Sequence, residues 1–499
     1  MSDSGLANGR DHFAPRHVTR RGFFERMADG ICGVALTSLL NKDVFGATTL
    51  PIAEGDLPAG HRPFYDLKPR TPHFEPKAKR VIQFFMNGGP SQMDLFDPKP
   101  MLDKHNGEAY FDKVAGEVTS TSQAGGLMRS PFKFSQHGKS GMWFSELMPN
   151  LAEHADELCM IRSMQTLHSN HEPALFVIHS GRTLPGRATM GAWTIFGLGT
   201  ENQNLPAYVV LDDPLGLPIN GVQNWQSGFL PPIYQGTRIR TLGSPILNLQ
   251  ADTPEPDALV QAGRKLLSRL DDIHKREHYG QMELDARIAS YELAARLQLS
   301  ANDALDISKE SEATRAMYGV GQQPTDSYGR RCLMARRLIE RGVRYVQLYI
   351  NAQIWDNHFH LEADIRSASA RTDQPVAALL QDLKQRGLLN DTLVLWGGEF
   401  GRMPIAQLQG DPSEAGRDHN PKAFTLWMAG GGVKPGITYG TTDEFGFSAA
   451  ENPVSVADWH ATVLHQLGMD YQRLAWEEDG LKEKLTSQYQ CRVVKEILA

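Results

Sequence analysis

Apolar and polar positions alternate along this chain in two rhythms. Short apolar runs at Arg80–Met86, Leu158–Met164, Ala207–Leu211, Val343–Ile350, Thr392–Trp396 and Ala423–Met428 predict strands. Runs with no polar alternation suit strands covered on both faces. Between them, spacing of three and four predicts helices over Phe144–Glu157, Glu172–Ser180, Tyr328–Arg341, Leu361–Arg386 and Val454–Leu467. Strands alternating with helices predict an α/β fold, a doubly wound and mostly parallel sheet flanked by helices, over residues 80–485. Two stretches break the rhythm. Residues 100–143 are rich in Gly and Ser and read as a loop insertion. Residues 213–325 begin irregularly and continue as a charged helix from about Asp257 to Asn302. Prolines 51, 58, 63, 69, 72 and 76 make 51–79 an extended linker or strap, and 486–499 a C-terminal tail.

The first 50 residues have a separate pattern. Thr19-Arg20-Arg21-Gly22-Phe23-Phe24 precedes a mildly apolar run from Ile31 to Leu40 and the small-residue patch Phe45-Gly46-Ala47. This resembles a twin-arginine export signal of bacteria, implying a periplasmic or extracellular protein. The run is too short for a stable membrane span, which needs roughly 20 apolar residues.

Composition narrows the classes. With 499 residues and 41% hydrophobic positions the chain can bury a sizeable core. Lys+Arg 51 against Asp+Glu 58 gives a net charge of -7, which argues against nucleic acid as a partner. Beyond the first 50 residues only Cys159, Cys332 and Cys491 remain, without paired spacing. The generous count is 17 histidines.

Their placement carries the chemistry. In open α/β sheets ligands bind beyond the carboxyl ends of the strands. Asn87, Ser91 and Asp94 follow the first strand, and His168 and His171 the second. Asp356, His358 and His360 follow the Val343 strand; Glu399 and Arg402 follow the Thr392 strand. His419 stands just before the Ala423 strand. Carboxylates and imidazoles gathered at one edge suit a divalent ion such as zinc or manganese. One Asp-x-His alone is more often a hydrogen-bonded pair; five clusters together favour a metal.

Four stretches resemble the alkaline phosphatase and sulfatase superfamily. They are Pro149 through Met164, His171 to Arg182, Pro375 to Arg402 and Val454 to Asp470. More closely, Gly88–Pro100, Trp355–His358, Gly397–Arg402 and Gly416–Pro421 are similar to the motifs of an exported, sulfatase-like bacterial family of unknown function. The sulfatase Cys or Ser nucleophile is missing; its position falls on or near His171, and Glu399-Phe400 stands where an Asp-His pair is usual.

The resemblance implies a metal-dependent hydrolase of phosphate, sulfate or related esters, acting through metal-activated water. The metal would be zinc, manganese or calcium. The substrate would be a small anionic ester or a sulfated or phosphorylated polymer. Asp356, His358 or His360, and His419 would form one metal position. Glu399 and His171, with Asn87 or Asp94, would form another. His168 could act as acid or base, since an imidazole titrates near neutrality. Arg182 or Arg402 could pair with the anion, although a structural ion pair is the plainer reading of either arginine. Ser91 is a rival nucleophile or a helix N-cap. The alternatives are a non-catalytic ligand- or surface-binding protein on the same fold, and a transferase sharing the same site.

Overall fold

The computed structural model describes residues 66–241, 256–277, 284, 286–289, 291–293, 303–350, 353–478, 480–486 and 490–499. The chain divides into two units, Met1–Asp56 and Leu57–Ala499, and every described residue belongs to the second. The expected export segment 1–50, residues 51–65 of the strap and part of the 257–302 helix lie outside the described residues.

The strands are β1 (Arg80–Phe85), β2 (Leu158–Gln165), β3 (Tyr208–Leu211), β4 (Thr237–Ile239), β5 (Tyr345–Tyr349) and β6 (Thr392–Gly397). They continue with β7 (Gly401–Arg402), β8 (His419–Asn420), β9 (Phe424–Ala429), β10 (Ile437–Tyr439) and β11 (Val454–Ser455). Among the described residues the main sheet has nine strands, in the order β10-β2-β9-β6-β1-β5-β3-β4, with β11 also on β2. Only β9 runs antiparallel, between β2 and β6. The parallel strands therefore finish at one edge, which is also where β9 begins.

Successive side chains of a strand point to opposite faces, and both faces here are apolar. Ile82 and Phe84 of β1 pack in one core with Leu338 of α3 (Asp326–Glu340) and Leu379 of α4 (Leu361–Gln385). Val81 and Phe85 pack in the other. There they meet Ile178 of α1 (His171–Ser180), Trp193 of α2 (Met190–Leu198) and Val463 of α5 (Val456–Gln466). Burial on both sides explains why the runs lack polar alternation. The expected two-sided, mostly parallel α/β fold is the one observed. Of the strap, Arg70 donates its backbone N–H to Leu198 (2.9 Å) and Lys77 to Gln466 (2.9 Å), so residues 66–79 are laid along helix ends before β1.

One expected helix is wrong in its first half. Instead of a helix from Phe144, Met142–Ser145 is a strand paired with Phe134–His137, and helix forms over Pro149–Ala152 with a 3-10 turn at Ala155–Glu157. Pro149 has no N–H and fits the first helical turn, not the interior of a helix already running. Residues 100–143 are also more than loop. They hold short helices at Pro100–Lys104 and Phe111–Val114, and Ala124–Leu127 pairs with Ile405–Gln407.

Within the main sheet the antiparallel strand β9 is fixed in the core by Trp427, which is fully buried and stacks on Trp396 at 5.9 Å between ring centroids. Trp427→Ala should cost about 3–5 kcal/mol of unfolding free energy, measured by urea denaturation. A cost under about 1 kcal/mol would show that this stack does not fix β9.

Candidate metal centre

Each strand end contributes a side chain because a local feature fixes its backbone. After β1 the chain turns through Gly88 (φ +110) and Gly89 (φ +79). A Cβ on Gly88 would come within 2.5 Å of the Asp356 backbone nitrogen, so only glycine lets the β1 and β5 loops approach. Fully buried Trp355 anchors the second loop, and its backbone N–H donates to the Asn87 carbonyl (3.2 Å). His171 opens α1. His419 lies in β8, directly opposite Arg402 of β7.

These loops bring together His171, Asp356, His358 and His419, with one ligand atom from each within 4.8 Å of the others. His358 Nε2 is 2.9 Å and His419 Nε2 3.2 Å from Asp356 Oδ1, and His171 Nε2 is 3.2 Å from Oδ2. The two nitrogens of His358 and His419 are 2.9 Å apart. Phe400 lies against His171 and His419, with ring centroids 4.8 and 4.5 Å away.

The outer nitrogens are managed too. His171 Nδ1 is 2.6 Å from Glu399 Oε1, and Glu399 in turn accepts the Gly88 N–H at 3.1 Å. A carboxylate can only accept, so His171 Nδ1 carries the proton. His358 Nδ1 is 2.5 Å from Gln407 Oε1, whose amide nitrogen donates to Gln123 Oε1 at 2.8 Å. That chain likewise places the proton on Nδ1 and leaves the Nε2 lone pair of His358 facing the group.

The donor set fits a divalent cation. His171 Nε2 is buried with no hydrogen-bond partner, while aimed at a carboxylate and two other imidazoles. Three imidazoles and one carboxylate, two of the imidazoles backed by acceptors, form a set suited to first-row transition ions.

Charge within the group is strongly ordered. Burial would raise the pKa of Asp356, but the three imidazoles facing it and the charge of Arg402 hold it well below the usual carboxylate range. Burial opposes charge on His171, yet Asp356 and Glu399 outweigh it and push its pKa up to about 9. His419 is depressed to about 3 by burial, despite Asp356, with Arg402 and His171 adding to the depression.

The other expected residues lie elsewhere. Asp94 is fully buried and pairs with Arg417 at 2.7 Å, and its carboxylate also takes the Ser91 hydroxyl. Ser91 precedes a short helix at Gln92–Leu95 without capping it through its side chain. Asn87 donates to the Ile350 carbonyl (2.6 Å). Glu399 reaches the group through His171. His360 is exposed at the start of α4, its backbone N–H donating to the Glu414 carbonyl (2.7 Å). His168 Nδ1 accepts the Asn170 N–H at 3.0 Å and is outside the group. Arg182 pairs with Glu483 (3.4 Å) beyond the far end of α1. Arg402 is fully buried beneath Asp356 at 2.7 Å. Sequence reasoning missed Gln407 and Gln123, since lone glutamines carry no motif. It also missed the hold of Asp418 on the Thr119 and Ser120 backbone N–H groups, at 2.7 and 3.2 Å.

Fold and site together define an α/β protein with a three-histidine, one-aspartate group at the carboxyl edge of its sheet. The chain belongs to the family described as "Protein of unknown function (DUF1501)", whose profile matches residues 78–498. Comparison with curated proteins finds no match. Among solved structures it is similar to a phosphonate monoester hydrolase from Silicibacter pomeroyi, with 11% identity and TM-score 0.35, over 84% of this chain and 76% of that one. A sulfatase from a Pseudoalteromonas species is similar at 10% identity and TM-score 0.33, over 79% and 68%. A protein in the alkaline phosphatase superfamily from Vibrio parahaemolyticus is similar at 10% identity and TM-score 0.32, over 81% and 72%. Likeness at this level says nothing of the reaction.

Two outcomes follow from the geometry. On metal-stripped protein, Asp356→Ala and His419→Ala should abolish tight zinc or manganese binding by calorimetry. Glu399→Gln should weaken it roughly 10–100-fold, as loss of an outer partner does. Equal loss in all three would put Glu399 among the ligands. The second concerns pH. Because the folded pKa of His171 lies above its unfolded value, its stabilisation of the metal-free protein is complete below about 6.5 and lost as pH rises through about 9. Thermal stability of the metal-free protein should therefore fall from pH 7 to 9, and His171→Gln should flatten the slope.

Proposed function

We propose that this protein is an exported, metal-dependent hydrolase of phosphate, sulfate or related esters. The convergence of three imidazoles and one carboxylate at the open edge of the sheet carries this reading. His171, Asp356, His358 and His419 would hold the ion. Nitrogen-rich ligands favour zinc over manganese and calcium, which prefer oxygen. A bound divalent ion supplies Lewis acidity, acidifying a water and drawing charge from the ester oxygens.

The chain's own residues supply position. Phe400 walls one side of two imidazoles, Glu399 and Gln407 set tautomers, and Arg402 holds Asp356. No described thiol joins the group, which supports attack by water. The Ser91 hydroxyl is engaged by Asp94, and Cys159 and Cys332 are buried. Among the described residues no helix is long and apolar enough to cross a membrane. Arg20-Arg21 and the apolar run after them support export.

The test is a panel of aryl phosphate, aryl phosphodiester and aryl sulfate esters with zinc- and manganese-loaded protein. At least one ester should turn over, and Asp356→Ala should remove that turnover. Metal bound tightly with no turnover across the panel would leave the non-catalytic binding protein as the reading.

A further inference from the structure

We propose that residues 213–222 form an apolar rim of the metal centre, which takes the hydrocarbon portion of an amphiphilic anionic ester. The inference rests on the hydrolase reading for the anionic end only.

Large apolar side chains are seldom clustered on a surface without use. Among the described residues, Leu215 is 79% exposed and Val222 54%, with Leu217 and Ile219 at 38% each. Four such residues within eight positions make this the densest apolar stretch on the described surface. The segment leaves β3 at the same sheet edge as the metal group. It also touches the helix that supplies a candidate ligand: Asn220 Nδ2 donates to the carbonyl of Glu172, the residue after His171, at 2.8 Å. Leu167, 51% exposed, lies on the strand-end loop that leads to His171.

The segment is held rather than loose. Asp213 pairs with the buried Arg331 of α3 at 2.6 Å. Asn224, fully buried, donates to the carbonyls of Ile219 (2.6 Å) and Gly221 (3.2 Å). Asn220 adopts a left-handed backbone, φ 66. A plain connection would turn its leucines inward. Here buried polar contacts fix the backbone while the apolar side chains stay in water, beside a centre suited to an anion. A ligand with an anionic head and an apolar body meets both surfaces at once.

The test is calorimetry of n-alkyl phosphates from ethyl to decyl, each below its micelle-forming concentration, with zinc-loaded protein. Each methylene buried on the rim adds affinity, so wild type should bind decyl phosphate at least about tenfold more tightly than ethyl phosphate. In Leu215→Ser/Val222→Ser that gain should vanish while ethyl phosphate binds as before. No chain-length gain in wild type, or an equal gain in the double variant, overturns the rim. So does dimerisation of wild type that the double variant abolishes, since the rim would then be an interface between copies. If ethyl phosphate fails to bind but decyl phosphate binds through the rim, the hydrolase reading fails and the rim stands.

Discussion

Arg402 spends its guanidinium on three loops at once. Nε donates to the Gly89 carbonyl and Nη1 to that of Arg417, each at 3.0 Å. Nη2 meets the carbonyls of Gly88 and Trp355 and the carboxylate of Asp356. The loops after β1 and β5 and the segment before β8 are thus pinned to one fully buried cation. A charge taken from water is costly unless every donor is satisfied and a counter-charge is present. Both conditions hold only when Asp356 sits where the group needs it. Fully buried among these acceptors, Arg402 sits as an anchor of the loops.

Around this anchor the three imidazoles are not equivalent. His171 is backed by a carboxylate, His358 by a neutral amide, and His419 Nδ1 is buried without a partner. A carboxylate behind an imidazole raises its basicity as a ligand more than an amide does. His171 is accordingly the strongest donor and also the imidazole that must lose a proton when an ion enters. The insertion at 100–143 completes this layer, supplying Gln123 behind Gln407 and Thr119 on Asp418.

The parallel core was legible in the sequence because strands covered on both faces have only one pattern, and each of the six expected runs is a strand. Short elements were not. Thr237–Ile239 and Ile437–Tyr439 are too brief for periodicity, and Met190–Leu198 is apolar all round and so shows no helical stripe. At the site, residue type located the strand-end clusters but could not rank their members. His358 and His360 differ only in where the chain turns: one faces inward, and the other begins α4 in a left-handed backbone, φ 52. Arg402 and Arg182 read alike as anion binders, and only burial tells them apart from one another and from a substrate contact. Glutamines that set tautomers leave no trace in a single sequence.

Charge counting shows how such a centre could accept an anion. Asp94 is cancelled by Arg417, while Asp418 keeps its charge, held by backbone N–H groups and a threonine hydroxyl. That leaves Asp356, Glu399 and Asp418 against Arg402. A divalent ion among neutral imidazoles would bring this sum to zero, in a setting where partial burial weakens screening. A substrate anion would then be drawn by direct contact with the ion, without any arginine reaching into the site. The absence of a free guanidinium among the described residues that build the group is therefore compatible with ester chemistry, in which anion recognition would fall to an ion that His171, Asp356, His358 and His419 could hold.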